Sequence, residues 1–137
     1  MIKIIAGEKG EGKTKRLLEM ANAAGKEVNG HVVFIDDDNR HMYDLHYDIR
    51  FVETSGFIMA DQKVLFGFIC GILSQDGDIE KIYIDDVKNI VKKMDSDDLD
   101  AFLDSLEELS AKANVDFTMI ITGKRESFSE KAQSYFV

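Results

Sequence analysis

Proline and tryptophan are absent from the 137 residues, and cysteine occurs once. Without proline the chain has no proline-rich linker and no polyproline recognition segment. The single cysteine, Cys70, excludes an internal disulfide and any multi-cysteine zinc site. Basic residues are scarce relative to acidic ones: 17 Lys plus Arg face 26 Asp plus Glu, a formal net charge of -9. That balance excludes a whole-surface basic footprint for nucleic acid. No apolar run approaches the roughly 18 residues of a membrane span, and Ile2–Ala6 is too short for a signal peptide. With no targeting signal in view, the expected location is the cytoplasm.

What is present suits one packed domain over 1–137: 45% hydrophobic and 31% charged residues, with no internal repeat and no low-complexity segment. Ile2–Ala6 is short, β-branched and closed by Gly7, which predicts a buried strand. Lys13–Ala24 has helical spacing, with Gly25 as its expected stop. Val32–Ile35 predicts a second buried strand, ended by Asp36-Asp37-Asp38, and Arg50–Glu53 a short edge strand. Residues 40–49 fit no single element. Asp61–Ser74 predicts a largely buried helix in which Gly67 and Gly71 allow close approach of a neighbour. Lys81–Asp85 is a further strand, followed by a short helix at Asp86–Met94. A longer helix capped by Asp95 or Ser96 carries the stripe Leu99, Phe102, Leu103, Leu106, Leu109. Phe117–Thr122 is the last buried strand, and a short helix at Ser129–Ser134 precedes an extended Tyr135–Val137. Apolar strands alternating with helices imply an α/β fold: a three-layer αβα arrangement around a mostly parallel sheet of about five strands.

The most informative segment is Gly7-Glu8-Lys9-Gly10-Glu11-Gly12-Lys13-Thr14, which matches G-x-x-x-x-G-K-[ST] at every fixed position. By chance those positions agree in roughly 0.5% of chains this long. The glycines let successive backbone N–H groups turn inward into an anion nest, and the helix starting near Lys13 adds its positive end. Lys13 reaches the β- and γ-phosphates as a point charge, and the Thr14 hydroxyl is placed for Mg²⁺. Cofactor-binding candidates are therefore Gly7 to Thr14 together with Lys15. Residues 1–16 hold five basic against two acidic side chains, a net +3, so a positive mouth sits on a body of -12.

On this motif the chain resembles the P-loop NTPase superfamily. Lys81-Ile82-Tyr83-Ile84-Asp85-Asp86 resembles a Walker B strand, which implies Asp85 as a Mg²⁺ ligand alongside Thr14. In the RecA-like, additional-strand branch a glutamate commonly follows and activates water. Here that position holds Asp86, which has two readings, a water-orienting carboxylate or a cap for the next helix. Phe117–Thr122 resembles the strand bearing a polar sensor, which implies Thr122 near the terminal phosphate, and Lys124 and Arg125 follow as candidate phosphate-pairing cations. RecA-like order places Thr118–Thr122 between the loop strand and the Walker B strand, whereas nucleotide-kinase-like order makes those two direct neighbours. The implied function is ATP binding with Mg²⁺-dependent hydrolysis, ATP being chosen because no N-K-x-D guanine motif occurs. The alternatives are a nucleotide-responsive binding module and, further off, a small-molecule kinase. The chain is also similar to short bacterial P-loop proteins sometimes labelled twitching-motility ATPases, although the His-containing and acidic boxes of the retraction motor have no counterpart here.

Weaker signals have plainer readings. Asp36-Asp37-Asp38 invites a cation but fits a solvated turn, and Asp38-Asn39-Arg40 bears a faint likeness to a thymidine-kinase loop whose zinc cysteines are missing. His31, His41 and His46 lack ligand spacing, and Cys70 fits an inert core thiol. Asp100, Asp104, Glu107 and Glu108 form a solvated face or an acidic docking face. With no lid or effector domain in the sequence, mechanical or regulatory output is expected to need a protein partner or self-association.

Overall fold

A computed structural model describes residues 1–137. Five strands, β1 (Ile2–Gly7), β2 (His31–Asp36), β3 (Arg50–Glu53), β4 (Ile79–Asp85) and β5 (Asp116–Thr122), form one sheet in the order β1-β5-β4-β2-β3. Every pairing is parallel. The helices are α1 (Lys13–Glu27), α2 (Gln62–Gln75), α3 (Val87–Ile90), α4 (Ser96–Ala113) and α5 (Glu130–Gln133). Of the two strand orders weighed from the sequence, the chain has the one in which β5 separates β1 from β4. No helix is long and apolar enough to cross a membrane.

The period-2 alternation of the strands sorts side chains into two apolar layers. Ile2, Ile4, Val33, Ile35, Ile82, Ile84, Phe117 and Met119 pack with α2 and α4 on one face. Ile5, Phe34, Tyr83 and Ile120 meet Leu17, Leu18 and Ala21 of α1 on the other. Parallel strands covered on both faces read as continuous apolar runs, which is why these segments show no polar alternation in the sequence.

Several expectations are corrected. Helix α1 runs through Gly25 to Glu27: Gly25 keeps helical backbone beside Ile49, and the helix ends at Val28, whose N–H donates to the Ala24 carbonyl. Residues 40–49 hold one 3-10 turn at Met42–Asp44, fixed to α1 by Asn22, which donates to the Asp44 carbonyl and accepts from the His46 N–H. Helix α2 is not largely buried. Only Gln62, Leu65 and Ile69 are covered, Val64 is exposed, and nothing in the chain lies within 4 Å of a side chain placed at Gly67 or Gly71. No second element packs over that face. Cys70 is accordingly half-buried, and that burial still raises its thiol above the ordinary range.

Asp95 rather than Ser96 caps α4. Its side chain accepts from the Asp98 N–H at 2.8 Å while Asp98 accepts from the Asp95 N–H at 3.2 Å, a reciprocal capping box. Asp95→Ala is expected to lower the melting temperature by about 3 °C, equivalent to about 1 kcal/mol, in a thermal scan of the purified protein. The acidic face of α4 is put to internal use. Asp100 accepts from Ser129, Asp104 pairs with Lys131, and Glu107 accepts from the Tyr135 hydroxyl at 2.5 Å. These contacts hold the C-terminal segment, whose backbone bridges the outer edge of β1 at Ile4.

Candidate functional site

All five strands run the same way, so their C-terminal ends converge on one sheet edge, where open α/β sheets place ligands. The loop 8–12 leaves β1 there. Gly7, Gly10 and Gly12 adopt φ values of 154, 87 and 75°, and Gly12 caps α1 with no side-chain partner for the helix amides. Residues with a Cβ are strained in that region, so the glycine spacing is what lets the loop curl before the helix begins.

The loop and the ends of β2, β4 and β5 enclose a cavity of about 290 Å³. Lys9, Lys13, Thr14, Lys15, Asp85, Asp86 and Thr122 all line it, as do Gly10 and Gly12. Lys13 is only 9% exposed, and its Nζ donates to the Glu8 carbonyl at 2.6 Å. Thr14 and Asp85, at the end of β4, line the cavity together. Burial raises the Asp85 carboxyl, Thr14 opposes that shift, and Asp86 adds to it. Gly7, Glu8 and Glu11 build the loop without lining the cavity, and neither Lys124 nor Arg125 lines it. Arg125 pairs with Glu11 instead.

Asp86 is buried and its two oxygens are engaged. Oδ1 accepts from the N–H groups of Lys88 at 3.1 Å and Thr122 at 3.4 Å, and Oδ2 accepts from the Thr122 hydroxyl. Of its two readings, the cap is therefore present as a contact: Asp86 caps the single turn of α3. The same carboxylate ties the end of β4 to the end of β5.

At the end of β2 the solvated turn expected for Asp36-Asp37-Asp38 is corrected. Asp36 is 3% exposed, not part of a solvated turn, and lies in parallel register with Asp85. Burial, a hydrogen bond with the Asp37 carboxyl and the charge of Asp85 push its carboxyl up to about 8. The Asp37 Oδ1 atom is buried without a partner, and carboxylate oxygens of Asp36, Asp37 and Asp38 lie within 4.8 Å of one another. Arg40 and His41 complete this wall, Arg40 held by Asp38 at 2.8 Å. The signal was available: a strand ending in Asp beside another strand ending in Asp must deliver both carboxyls to one edge. The cavity thus has a cationic side from the loop and an acidic side from β2 and β4. All-oxygen donors, two of them in raised carboxyls and one an unpartnered buried atom, fit a hard divalent cation.

Each of the three histidines faces an aspartate of its own, His31 with Asp76, His41 with Asp44 and His46 with Asp48. The group His31, Asp76 and Asp78 also offers three ligand atoms, but Asp76 is taken by His31 at 2.6 Å and Arg50 at 3.1 Å. That group reads as an ion-pair network at the opposite end of the sheet. No protein-family model matches the chain, and no curated protein matches it.

Proposed function

We propose that this chain is a P-loop protein that binds ATP with Mg²⁺ and hydrolyses its terminal phosphoanhydride bond. The observation that carries the reading is the meeting of Lys13, Thr14 and Asp85 at the C-terminal edge of a parallel sheet, below a loop with three glycines at positive φ. In this reading the loop amides and the first turn of α1 bind the phosphate oxygens, and Lys13 neutralises the charge shared by the β- and γ-phosphates. Thr14 and Asp85 would hold Mg²⁺, with Asp36 and Asp37 lining the same cavity. The bound ion supplies neutralisation of the charge that builds on the bridging oxygen. Asp86 and Thr122 orient the attacking water as a hydrogen-bonded unit. Water adds to the γ-phosphorus, the bond to the bridging oxygen breaks, and ADP and phosphate leave.

One observation favours a second reading. Both Asp86 oxygens are occupied by Lys88 and Thr122, which suits a nucleotide-responsive module that binds ATP and turns it over little.

A phosphate-release assay separates the two. Asp86→Asn keeps an acceptor oxygen for the amides of Lys88 and Thr122 while removing the charge, so the cap survives. Under hydrolysis, wild type releases phosphate and the variant is slower by about tenfold or more at unchanged ATP affinity. ATP binding with no release in wild type sinks hydrolysis and leaves the binding module. Equal rates in the two proteins remove Asp86 from the mechanism.

A further inference from the structure

The glycine-rich loop is closed by a contact that the proposed chemistry leaves unused. Glu11 turns back so that Oε2 accepts from the Glu8 N–H at 2.5 Å, while Oε1 pairs with Arg125 Nη2 at 3.3 Å. Arg125 reaches the loop from just beyond β5. The pair passes over Gly7, where a Cβ would stand 3.0 Å from Glu11 Oε1 and 3.1 Å from Arg125 Nη2. Glycine at position 7 therefore makes space for this contact as well as for the turn. The Glu8 carbonyl is meanwhile held by Lys13. Both polar groups of Glu8 are satisfied from within the loop, and Arg125, a cation beside the mouth, is neutralised.

We infer that Glu11 sets the affinity of this site for phosphate: it is an internal anion that occupies the Glu8 amide and Arg125 and releases them when a phosphoryl group enters the loop. The inference rests on the triphosphate reading above.

Its physical basis is competition between like ligands. Carboxylate and phosphate oxygens seek the same partners, backbone N–H groups and guanidinium forks. A fixed negative charge in the loop also repels an incoming oxyanion. The Glu8 amide and then Arg125 hold the Glu11 carboxyl below its ordinary range, so it stays ionised at neutral pH. Yet Glu11 and Arg125 are 39% and 61% exposed, so solvent screens their attraction and the contact can open without disturbing the fold.

Isothermal titration of Mg²⁺-ATP into wild type, Glu11→Gln, Arg125→Ala and the double variant tests this. Glu11→Gln is expected to tighten Kd about fivefold, and the gain shrinks by at least about half when Arg125 is already absent. An unchanged or weaker Kd in Glu11→Gln, with wild type binding normally, overturns the inference while the nucleotide reading stands. A gain of the same size with and without Arg125 overturns the part assigned to Arg125. Failure of wild type to bind Mg²⁺-ATP overturns both. A second measurement needs no variant: the Glu8 amide resonance of wild type is expected to move as Mg²⁺-ATP is added. A resonance unmoved at saturation overturns the displacement.

Discussion

Under the proposed function Mg²⁺-ATP is expected to raise the melting temperature of the wild-type protein, and Lys13→Ala is expected to abolish that rise. At a nucleotide concentration about a hundredfold above Kd, binding to the native state alone stabilises by about 2.7 kcal/mol. In a domain of this size that corresponds to a shift of about 10 °C. Lys13 is the one buried cation of the chain, and a carbonyl holds its Nζ at the cavity wall. A polyanion brought into that cavity meets the carboxyls of Asp36, Asp85 and Asp86 on the facing side. Without Lys13 the balance turns repulsive, and Kd is expected to rise by about a hundredfold or more. Lys13→Arg tests geometry apart from charge, because a planar fork cannot take the place of a compact ammonium on a single carbonyl. It is expected to recover only part of the shift. Differential scanning with ATP, GTP and phosphate, each with and without Mg²⁺, makes the measurement and ranks the bases. A shift that survives intact in Lys13→Ala places the nucleotide elsewhere and removes the proposed function.

Much of the architecture was legible because the segments of β1, β2, β4 and β5 are short, apolar runs that alternate with helical patterns, which a helix-covered parallel sheet explains. The place of β5 between β1 and β4 was favoured because Asp86 continues the β4 motif as a carboxylate and no lid insertion is evident, a clue outside periodicity; the place of β2 beside β4 was not legible. Helix α2 shows where apolar content misleads. Val64, Phe66, Phe68, Ile72 and Leu73 look like core in one dimension, but the helix fully buries only Leu65 and Ile69 of its apolar residues, with Phe66, Ile72 and Leu73 half-buried against the core and Val64 exposed. Gly25 misled in the opposite sense, since it stands inside α1 and the helix ends only after Glu27. In the cavity, Gly10, Gly12, Lys13 and Thr14 could be named from the spacing of the loop, and Asp85 from the resemblance of its strand to a Walker B motif. Asp36 could be placed at this edge from its strand end, but its burial against Asp85 could not be read, because a run of three aspartates looks the same whether solvent or a neighbouring strand faces it. The role of Glu11 was hidden for a related reason: its partner, Arg125, lies more than a hundred residues away in sequence.

The buried acidic wall leads to the other large effect, in which the protein is expected to be stabilised by Asp36→Asn when divalent cations are chelated. Asp36 lies at the end of β2 with its Oδ1 on the Asp37 N–H at 2.7 Å. Burial comes first, then the Asp37 carboxyl and Asp85, in raising it to about 8, and the Arg40 guanidinium on the same wall is spent on Asp38. A carboxyl raised in the native state keeps its proton there while the unfolded chain, with an ordinary carboxylate, gives it up. Its contribution is therefore fully present below about pH 4, is lost as pH rises, and levels off once the native group ionises near pH 8. The slope reaches at most about 1.4 kcal/mol per pH unit. Asparagine keeps the acceptor for the Asp37 N–H and the shape of a neutral carboxyl but has nothing to ionise. Urea unfolding in EDTA at pH 4.5, 6.5 and 8.5 is expected to show the variant pulling ahead of wild type with rising pH, by about 2–4 kcal/mol at the top of the range. Parallel losses in the two proteins would assign the pH dependence to other groups and leave Asp36 an ordinary strand end. A widening gap identifies a carboxyl kept at a cost to stability, the usual mark of a residue retained for what its site binds.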